Sequence, residues 1–317
     1  MTIAAGGNVT QADGTTVVLT LHVSVDAEGY HVDLGNSGNN VATVKDNKAV
    51  NFSFTDTGAV SLGASTITGN FSITAGGTVD DSGDLDIEGV TSISASGSNV
   101  VLDRAGHDFT GAVEVVGAAV ELVDANALVL GASTVSSTYT VTASGAVTDT
   151  GALGITGITT ISASGQTVEL NEATNNFGNE VRITGAAVTL LDEDALALGA
   201  SMVSGNLIAT ATAGNMTDSG VLTIAGTSAF TTGADGAAIS FNENHAFTGA
   251  VTITTNDSAG SDSDATISAG SLKELILAAS TIDGDLTVTS SNATGITQTG
   301  VLTVGGTSSF TTSADGA

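Results

Sequence analysis

The sequence predicts an all-β protein built as a parallel β-solenoid, in which short strands stack coil upon coil. Three observations predict it: a long internal repeat, short runs that alternate apolar and polar residues, and the absence of proline from a chain of 317 residues with 41 glycines. Strict alternation is typical of strands that bury one face. Proline would remove a ladder hydrogen bond from any strand that is paired on both sides, as nearly every solenoid strand is.

Three short motifs recur in the same order and define the repeat. Leu-Gly-Ala-Ser, with one Leu-Ala-Ala-Ser variant, occupies residues 62–65, 130–133, 198–201 and 277–280, at spacings of 68, 68 and 79. Asp-Ser-Gly and its variants occupy residues 81–83, 149–151, 218–220 and 298–300. The third motif begins at Phe109, Phe177 and Phe247, which we expect to fill the core. Three motifs in one order indicate a repeat architecture.

The longer last spacing indicates an insertion near residues 256–265. This stretch consists of Asn, Asp, Ser, Ala and Gly, which are typical of loops. We expect it to protrude from the regular body and to be the favoured place for a lateral or ligand contact. Residues 34–317 are predicted to form the solenoid, whereas residues 1–33 diverge from the repeat and are expected to form an N-terminal cap or a degenerate coil.

One repeat divides into four pieces, which we interpret as coils: residues 81–97, 98–117, 118–131 and 132–148. Coils of about 17–20 residues predict about 16–18 coils and a rod roughly 75–90 Å long, because stacked strands lie ~4.8 Å apart. Small and β-branched residues fill a narrow core, and Gly, Asn and Asp supply the corners that need positive φ.

The charge excludes two classes of partner. Asp and Glu total 33 against five Lys and Arg, so the net charge is −28. A nucleic-acid-binding protein needs a basic stripe, and docking on anionic lipid also needs cations. We also expect no membrane insertion, since no run approaches the ~20 apolar residues of a transmembrane helix. The first ten residues lack the basic and hydrophobic regions of a signal peptide.

The sequence predicts no catalytic residues. It contains no nucleophile elbow, no P-loop, no zinc-protease helix motif and no cysteine. His107, Asn175 and His245 share a position two residues before the repeated Phe. Asn cannot replace a general base, so we expect solvated corner residues at this position. The enzymatic alternative is a carbohydrate-active β-helix, either a polysaccharide lyase or a hydrolase.

The acidic residues leave two interpretations open. One is a solvated acidic face. The other is a set of weak calcium sites between coils or subunits, because carboxylate oxygens are the ligands that calcium prefers. The predicted calcium ligands are Asp192, Asp194, Asp257, Asp262 and Asp264. No other cofactor is expected.

Segments 107–113 (HDFTGAV), 192–201 (DEDALALGAS) and 219–227 (SGVLTIAGT) resemble repeats of the filamentous-haemagglutinin-like and autotransporter-like adhesins of bacterial surfaces. The resemblance covers roughly residues 34–317. It implies a right-handed β-helix, with a β-roll as the alternative, that acts as an adhesive stalk or matrix fibre outside the cell. Surface glycans or a cell surface are the implied partners. A calcium-dependent surface-layer or matrix protein is a further alternative.

The last residues suggest self-association. Residues 300–317 match residues 220–237 at 14 of 18 positions and then stop within a repeat. Solenoid ends normally carry an atypical capping coil. We therefore expect either that the natural chain continues or that a second copy covers this end. The second case predicts head-to-tail association, to which lateral association can add.

Overall fold

The computed structural model describes residues 1–45, 47–256 and 260–313, and these residues contain 42 β-strands and no helix. None of them therefore belongs to a helix that could cross a membrane. The chain divides into two compact units, residues 1–157 (unit 1) and 158–317 (unit 2). The strands described in each unit pair in parallel with the coils before and after. The prediction of an all-β parallel β-solenoid is confirmed.

Unit 1 contains short strands of two to five residues and one longer strand. They are β1 (Thr2–Ala4), β2 (Val9–Thr10), β3 (Val18–Asp26), β4 (Val32–Leu34), β5 (Asn40–Val44), β6 (Asn47–Ala49), β7 (Phe52–Asp56), β8 (Val60–Leu62), β9 (Ser65–Ile67), β10 (Phe71–Ala75), β11 (Val79–Asp81), β12 (Leu85–Ile87), β13 (Thr91–Ser94), β14 (Val100–Leu102), β15 (Asp108–Phe109), β16 (Val113–Gly117), β17 (Val120–Asp124), β18 (Leu128–Leu130), β19 (Ser133–Val135), β20 (Tyr139–Ala143), β21 (Val147–Asp149) and β22 (Leu153–Ile155).

Unit 2 continues in the same style. Its strands are β23 (Thr159–Ser162), β24 (Val168–Leu170), β25 (Asn176–Phe177), β26 (Val181–Gly185), β27 (Val188–Asp192), β28 (Leu196–Leu198), β29 (Ser201–Val203), β30 (Leu207–Ala211), β31 (Met216–Asp218), β32 (Leu222–Ile224), β33 (Ser228–Thr232), β34 (Ile239–Phe247), β35 (Val251–Thr254), β36 (Ala265–Ala269), β37 (Leu275–Leu277), β38 (Ser280–Ile282), β39 (Leu286–Ser290), β40 (Ile296–Gln298), β41 (Leu302–Val304) and β42 (Ser308–Thr312).

Each unit has two sheets, and the chain passes from one to the other and back in every coil. In unit 1, sheet a contains β2, β4, β7, β10, β13, β16, β18, β19, β21 and β22, and sheet b contains the other strands. In unit 2, sheet c contains β24, β25, β27, β30, β33, β35, β37, β38, β40 and β41, and sheet d contains the other strands. A coil therefore crosses each sheet once, as either one strand or two short strands separated by a corner.

Identical residue types stack along the inside of the coils. Phe71 of β10 pairs with Phe52 of β7, and Ile73 of β10 pairs with Ile93 of β13. These side chains are at most 1% exposed. Burying such a side chain contributes roughly 1.5–3 kcal/mol. The same small set of side chains repeats from coil to coil and fills a core that is narrow across the coil. A narrow core needs few large aromatic residues.

The coils lie at or above the upper end of the predicted length of about 17–20 residues. Phe52 pairs with Phe71, Phe71 with Thr91, and Thr91 with Val113, so the residue number advances by 19, then 20, then 22 from coil to coil. The chain accordingly makes about 15 turns, fewer than predicted. The corners between paired short strands account for the added length.

The repeat does not consist of four coils, and this part of the prediction is wrong. Between β10 and its repeat equivalent β20, the chain crosses the sheets as β10 (a), β11–β12 (b), β13 (a), β14–β15 (b), β16 (a), β17 (b) and β18–β19 (a), and then enters β20 (b). Seven crossings amount to three and a half coils. Equivalent residues of successive repeats therefore lie on different sheets. The same alternation places β30 in sheet c and its equivalent β39 in sheet d.

The recurring motifs stack on one another. A Cβ atom built on Gly83, the last residue of Asp-Ser-Gly, would lie 2.1 Å from the backbone nitrogen of Ala64 in the preceding Leu-Gly-Ala-Ser motif. Gly151 approaches Ala132 in the same way, at 2.4 Å. Only glycine allows this approach. The two motifs therefore recur together because each forms half of one contact between coils.

The structure shows where the repeated phenylalanines, residues 1–33 and the base of the insertion lie. Phe109, Phe177 and Phe247 are each 1% exposed, which confirms that they fill the core. In residues 1–33, β1 pairs with β3, and β3 in turn pairs with β5. At the insertion, the hydroxyl of Thr255 donates to the carbonyl of Ser263 at 3.1 Å and closes the base of the loop.

Candidate functional site

Three buried aspartates occupy equivalent corners of the repeats, at Asp56, Asp124 and Asp192. Each is the last residue of a five-residue strand whose first and third residues are buried, so strand alternation turns it inward. The carboxylate of Asp124 accepts the backbone N–H of Phe109 at 2.8 Å and that of Asn126 at 2.6 Å. Oδ2 of Asp124 thus accepts a hydrogen bond from the previous coil, and Oδ1 accepts one from the turn that follows the strand.

Asp192 repeats this arrangement in unit 2. Its carboxylate accepts the backbone N–H of Phe177 at 3.0 Å and that of Asp194 at 2.8 Å. Burial raises the pKa of Asp192 to about 6, against the lowering effect of these two hydrogen bonds. Burial likewise raises the pKa of Asp124. Both carboxylates therefore act as structural acceptors between coils.

The other predicted calcium ligands lie in two separate places. The carboxylate of Asp194 accepts the side-chain amide of Asn176 at 2.9 Å, close to Asp192. Asp262 and Asp264 are exposed within the insertion, where Asp264 accepts the backbone N–H of Asp285 at 2.8 Å. Asp257 lies outside the described residues. The structure thus brings together Asp192 with Asp194, and Asp262 with Asp264, but not the two pairs.

Calcium binding by these residues stays a prediction. Within the described parts of the chain, no three His, Asp or Glu side chains are grouped so that they could hold a metal ion. Both oxygens of Asp192 already accept backbone hydrogen bonds. A calcium ion there would have to share or replace these partners.

The repeated histidine position is buried, and the prediction of a solvated corner is wrong. His107 and Asn175 are 0% exposed and His245 is 1% exposed. The Nδ1 atom of His107 accepts the backbone N–H of Leu85 at 2.9 Å. His245 accepts the backbone N–H of Leu222 at 3.0 Å in the same way. These imidazoles bridge neighbouring coils, and solvent does not reach them.

Each buried histidine faces a buried aspartate. The Nε2 atom of His107 lies 3.1 Å from Oδ2 of Asp81, and the Nε2 atom of His245 lies 3.1 Å from Oδ2 of Asp218. Because Nδ1 accepts a hydrogen bond, the network assigns the proton of the neutral ring to Nε2, facing the carboxylate. The Nε2–H group does not point at the carboxylate oxygen well enough to form a hydrogen bond, so the contact is mainly electrostatic.

The surroundings of both pairs favour a neutral imidazole. Burial lowers the pKa of His107 and of His245, and the neighbouring carboxylate opposes this shift only in part. Burial also raises the pKa of Asp81. A substrate cannot reach either ring, and a general base must lie within hydrogen-bond reach of the proton it removes.

Buried serines explain the last residue of the Leu-Gly-Ala-Ser motif. The hydroxyl of Ser133 donates to the carbonyl of Gly131 at 3.0 Å and accepts the backbone N–H of Val115 at 3.0 Å. Ser201 makes the matching pair of contacts with Gly199 and Ile183. Strand alternation predicts only that this residue faces inward. Its partner in the preceding coil is not visible in the local sequence.

The buried side chains of Asp124, Asp192, His107, His245, Ser133 and Ser201 thus join neighbouring coils. Together with the parallel ladders, these contacts define a repeat β-solenoid. A family model described as "Repeats of unknown function (DUF5649)" matches residues 49–116, 117–184, 185–254 and 262–316. The chain belongs to this family, and each of the first two matches has the length of one sequence repeat. No curated protein and no solved structure matched the chain.

Proposed function

We propose that the chain is a structural and adhesive segment of an extracellular bacterial fibre or surface stalk and is not an enzyme. The observation that carries this proposal is the use of polar side chains such as His107, Asp124 and Ser133, which join coil to coil and are closed to solvent. Side chains in such positions stabilise a scaffold. The resemblance of segments 107–113, 192–201 and 219–227 to bacterial adhesin repeats supports the extracellular role.

The mechanism of adhesion is additive. Parallel coils repeat the same outward positions along the stack, and many weak contacts on such a surface sum through multivalency. Copies of the chain are the first partners we propose, in head-to-tail or lateral association, followed by glycans of a cell surface. A net charge of −28 opposes lateral packing, so salt or calcium that screens the acidic residues promotes it.

Sedimentation and electron microscopy of the purified chain over a concentration series test self-association. Each concentration is measured with calcium, with a chelator, and with sodium chloride at matched ionic strength. We expect assemblies whose size grows with concentration. A larger effect of calcium than of sodium would place acidic residues at the contacts. A monomer under all conditions would contradict self-association.

Location is tested separately in the organism that encodes the chain. Protease is added to intact cells, and the chain is detected with a specific antibody beside a cytoplasmic marker. We expect the chain to be cleaved or shed while the marker stays intact. Protection of both proteins in intact cells, with loss of both after lysis, would contradict an extracellular role.

A further inference from the structure

Unit 2 carries a groove on its outside, with a volume of about 390 Å³. Its floor is a row of outward side chains on successive strands of sheet d. Thr184 pairs with Met202, Met202 with Thr223, and Thr223 with Ala246. The row runs from coil to coil, so the groove is elongated in the stacking direction, across the strands.

The lengths of the connections between sheets create this groove. Where the chain passes from sheet d to sheet c, the connections after β23 and β36 have five residues each. The four connections between them, after β26, β29, β32 and β34, have only two or three. The long connections contribute Ser164 and Gly165 at one end of the groove and Leu272 and Lys273 at the other. Five coil steps separate these walls, which is about 24 Å.

The groove contains large apolar side chains that are exposed to solvent, on a chain whose net charge is −28. Met202 is 64% exposed and Leu272 is 79% exposed. Val203, Ala225 and Ala246 also line the groove, beside hydroxyl side chains. Such exposed apolar surface in a concave place is typical of a binding site.

The charge of the groove is opposite to that of the chain. None of the acidic residues that the structure describes lines it, whereas Lys273, one of only five basic residues in the sequence, does. Among the described residues Lys273 forms no ion pair, and it is exposed. A single ammonium at one end of an apolar channel complements a ligand with one negative charge and a long apolar body.

We propose that this groove binds a long-chain monocarboxylate, with the acyl chain along Met202 and Leu272 and the carboxylate at the ammonium of Lys273. An extended acyl chain fits the narrow row of Thr, Met and Ala side chains. Within the described part of the chain, no aromatic side chain lines the groove to stack on a sugar ring. The site is independent of the structural role proposed above, since it lies on the outer surface of coils whose contacts are internal.

Calorimetric titration of the full chain with dodecanoate, below the concentration at which it forms micelles, tests the proposal. We expect saturable binding of one dodecanoate and weaker binding of hexanoate, which buries less apolar surface. Met202→Ser and Leu272→Ser should each lower the affinity about tenfold, because each removes apolar surface that the ligand covers. Leu21→Ser is the matched control in unit 1, since Leu21 is 73% exposed and lies outside the groove.

The charge assignment is tested with dodecyltrimethylammonium, which has the same chain and the opposite charge. The parent chain should bind dodecanoate more tightly, and Lys273→Glu should reverse this order, while Lys48→Glu in unit 1 should not. Lys273→Arg should retain dodecanoate binding. Absence of saturable binding, equal losses in the Leu21→Ser control, or no effect of Lys273→Glu would each overturn the proposal.

Discussion

His107 and Asp81 face each other across neighbouring coils of unit 1, with 3.1 Å between Nε2 and Oδ2 and side chains at most 1% exposed. His245 and Asp218 form the same pair in unit 2. At the equivalent position of another repeat, Asn175 is equally buried. The two histidines accept a backbone N–H and face an aspartate, and an Asn side chain has an acceptor and a donor for the same two contacts.

Replacement of His107 tests these contacts. We expect His107→Asn to change the free energy of unfolding little. His107→Leu should lower it by about 1–3 kcal/mol, because the leucine leaves the buried Leu85 N–H without its acceptor and removes the polar ring that faces Asp81. The measurement is denaturant unfolding at neutral pH. His31→Leu, at an exposed position, is the control. Equal losses in His107→Asn and His107→Leu would contradict the assigned role.

Asp192 should make stability depend on pH. Its pKa is about 6 in the folded chain against 3.8 for the free group, so between these values the folded state holds a proton that the unfolded state has lost. The resulting stabilisation is complete below about pH 3.8 and is lost as the pH rises through about 6. The buried histidines act in the opposite direction, so only a comparison of variants isolates this effect.

Asp192→Asn supplies that comparison. The difference in unfolding free energy between the parent and Asp192→Asn should change by on the order of 3 kcal/mol between about pH 3.5 and pH 7, with the parent relatively more stable at low pH. Asp262→Asn, on the exposed insertion, is the control. An unchanged difference across this range would show that Asp192 has an ordinary pKa and is not buried as described.

Gly83 should tolerate no side chain. A Cβ atom there would lie 2.1 Å from the backbone nitrogen of Ala64, and backbone cannot move aside as a flexible side chain does. We expect Gly83→Ala to lower stability by about 1–3 kcal/mol, as overpacking does. Gly7→Ala is the matched control, because no atom lies within 4 Å of its built Cβ. If both variants unfold at the same denaturant concentration, the stacked motifs are not in contact.

Ser133 should contribute through both of its hydrogen bonds. Ser133→Ala leaves the N–H of Val115 and the carbonyl of Gly131 without this buried partner, which should cost about 1–3 kcal/mol. The exposed Ser136→Ala serves as the control. Hydrogen exchange of the Val115 amide is the local readout, and it should accelerate in Ser133→Ala only. Unchanged protection of that amide would contradict the contact.

The fold class was predictable because a solenoid repeats its chemistry at every coil. Missing proline, alternating strands and the buried Phe109, Phe177 and Phe247 all follow from strands paired on both sides. The division of the repeat into coils was not predictable by the same means. β11 and β12 form a single crossing of sheet b, but the corner between them resembles the corner between two coils.

The buried polar pairs were missed because their partners lie one coil apart. Asp81 and His107 are separated in sequence by more than the length of a coil, and no local pattern connects them. The internal repeat nevertheless contained a signal, since Asp149 precedes Asn175 by the same separation. At residues 192–194 the run of three acidic residues resembles a solvated surface, yet strand alternation buries the first of them. Equal spacing of Asp56, Asp124 and Asp192 was the available clue.

The central claim is that one sequence repeat makes three and a half coils, so that equivalent residues of successive repeats lie on different sheets. Distances between nitroxide labels test this claim most directly. The chain has no cysteine, so labels can be placed on cysteines introduced at outward-facing positions. Thr74 and Thr134 lie on sheet a, three coils apart through Ser94 and Val116, which is about 14 Å along the stack. Thr74 and Thr142 are one repeat apart, on sheets a and b.

We expect the 74–142 distance to exceed the 74–134 distance by clearly more than one coil step of ~4.8 Å. The two labels lie about 17 Å apart along the stack, and they also point outward from opposite sheets about 10 Å apart, so the reach of both labels adds to the separation across the stack. A repeat of four whole coils would instead place residue 142 on the same sheet as residue 74. The 74–142 distance would then be about 19 Å, only one coil step longer than the 74–134 distance. That result would contradict the three-and-a-half-coil repeat.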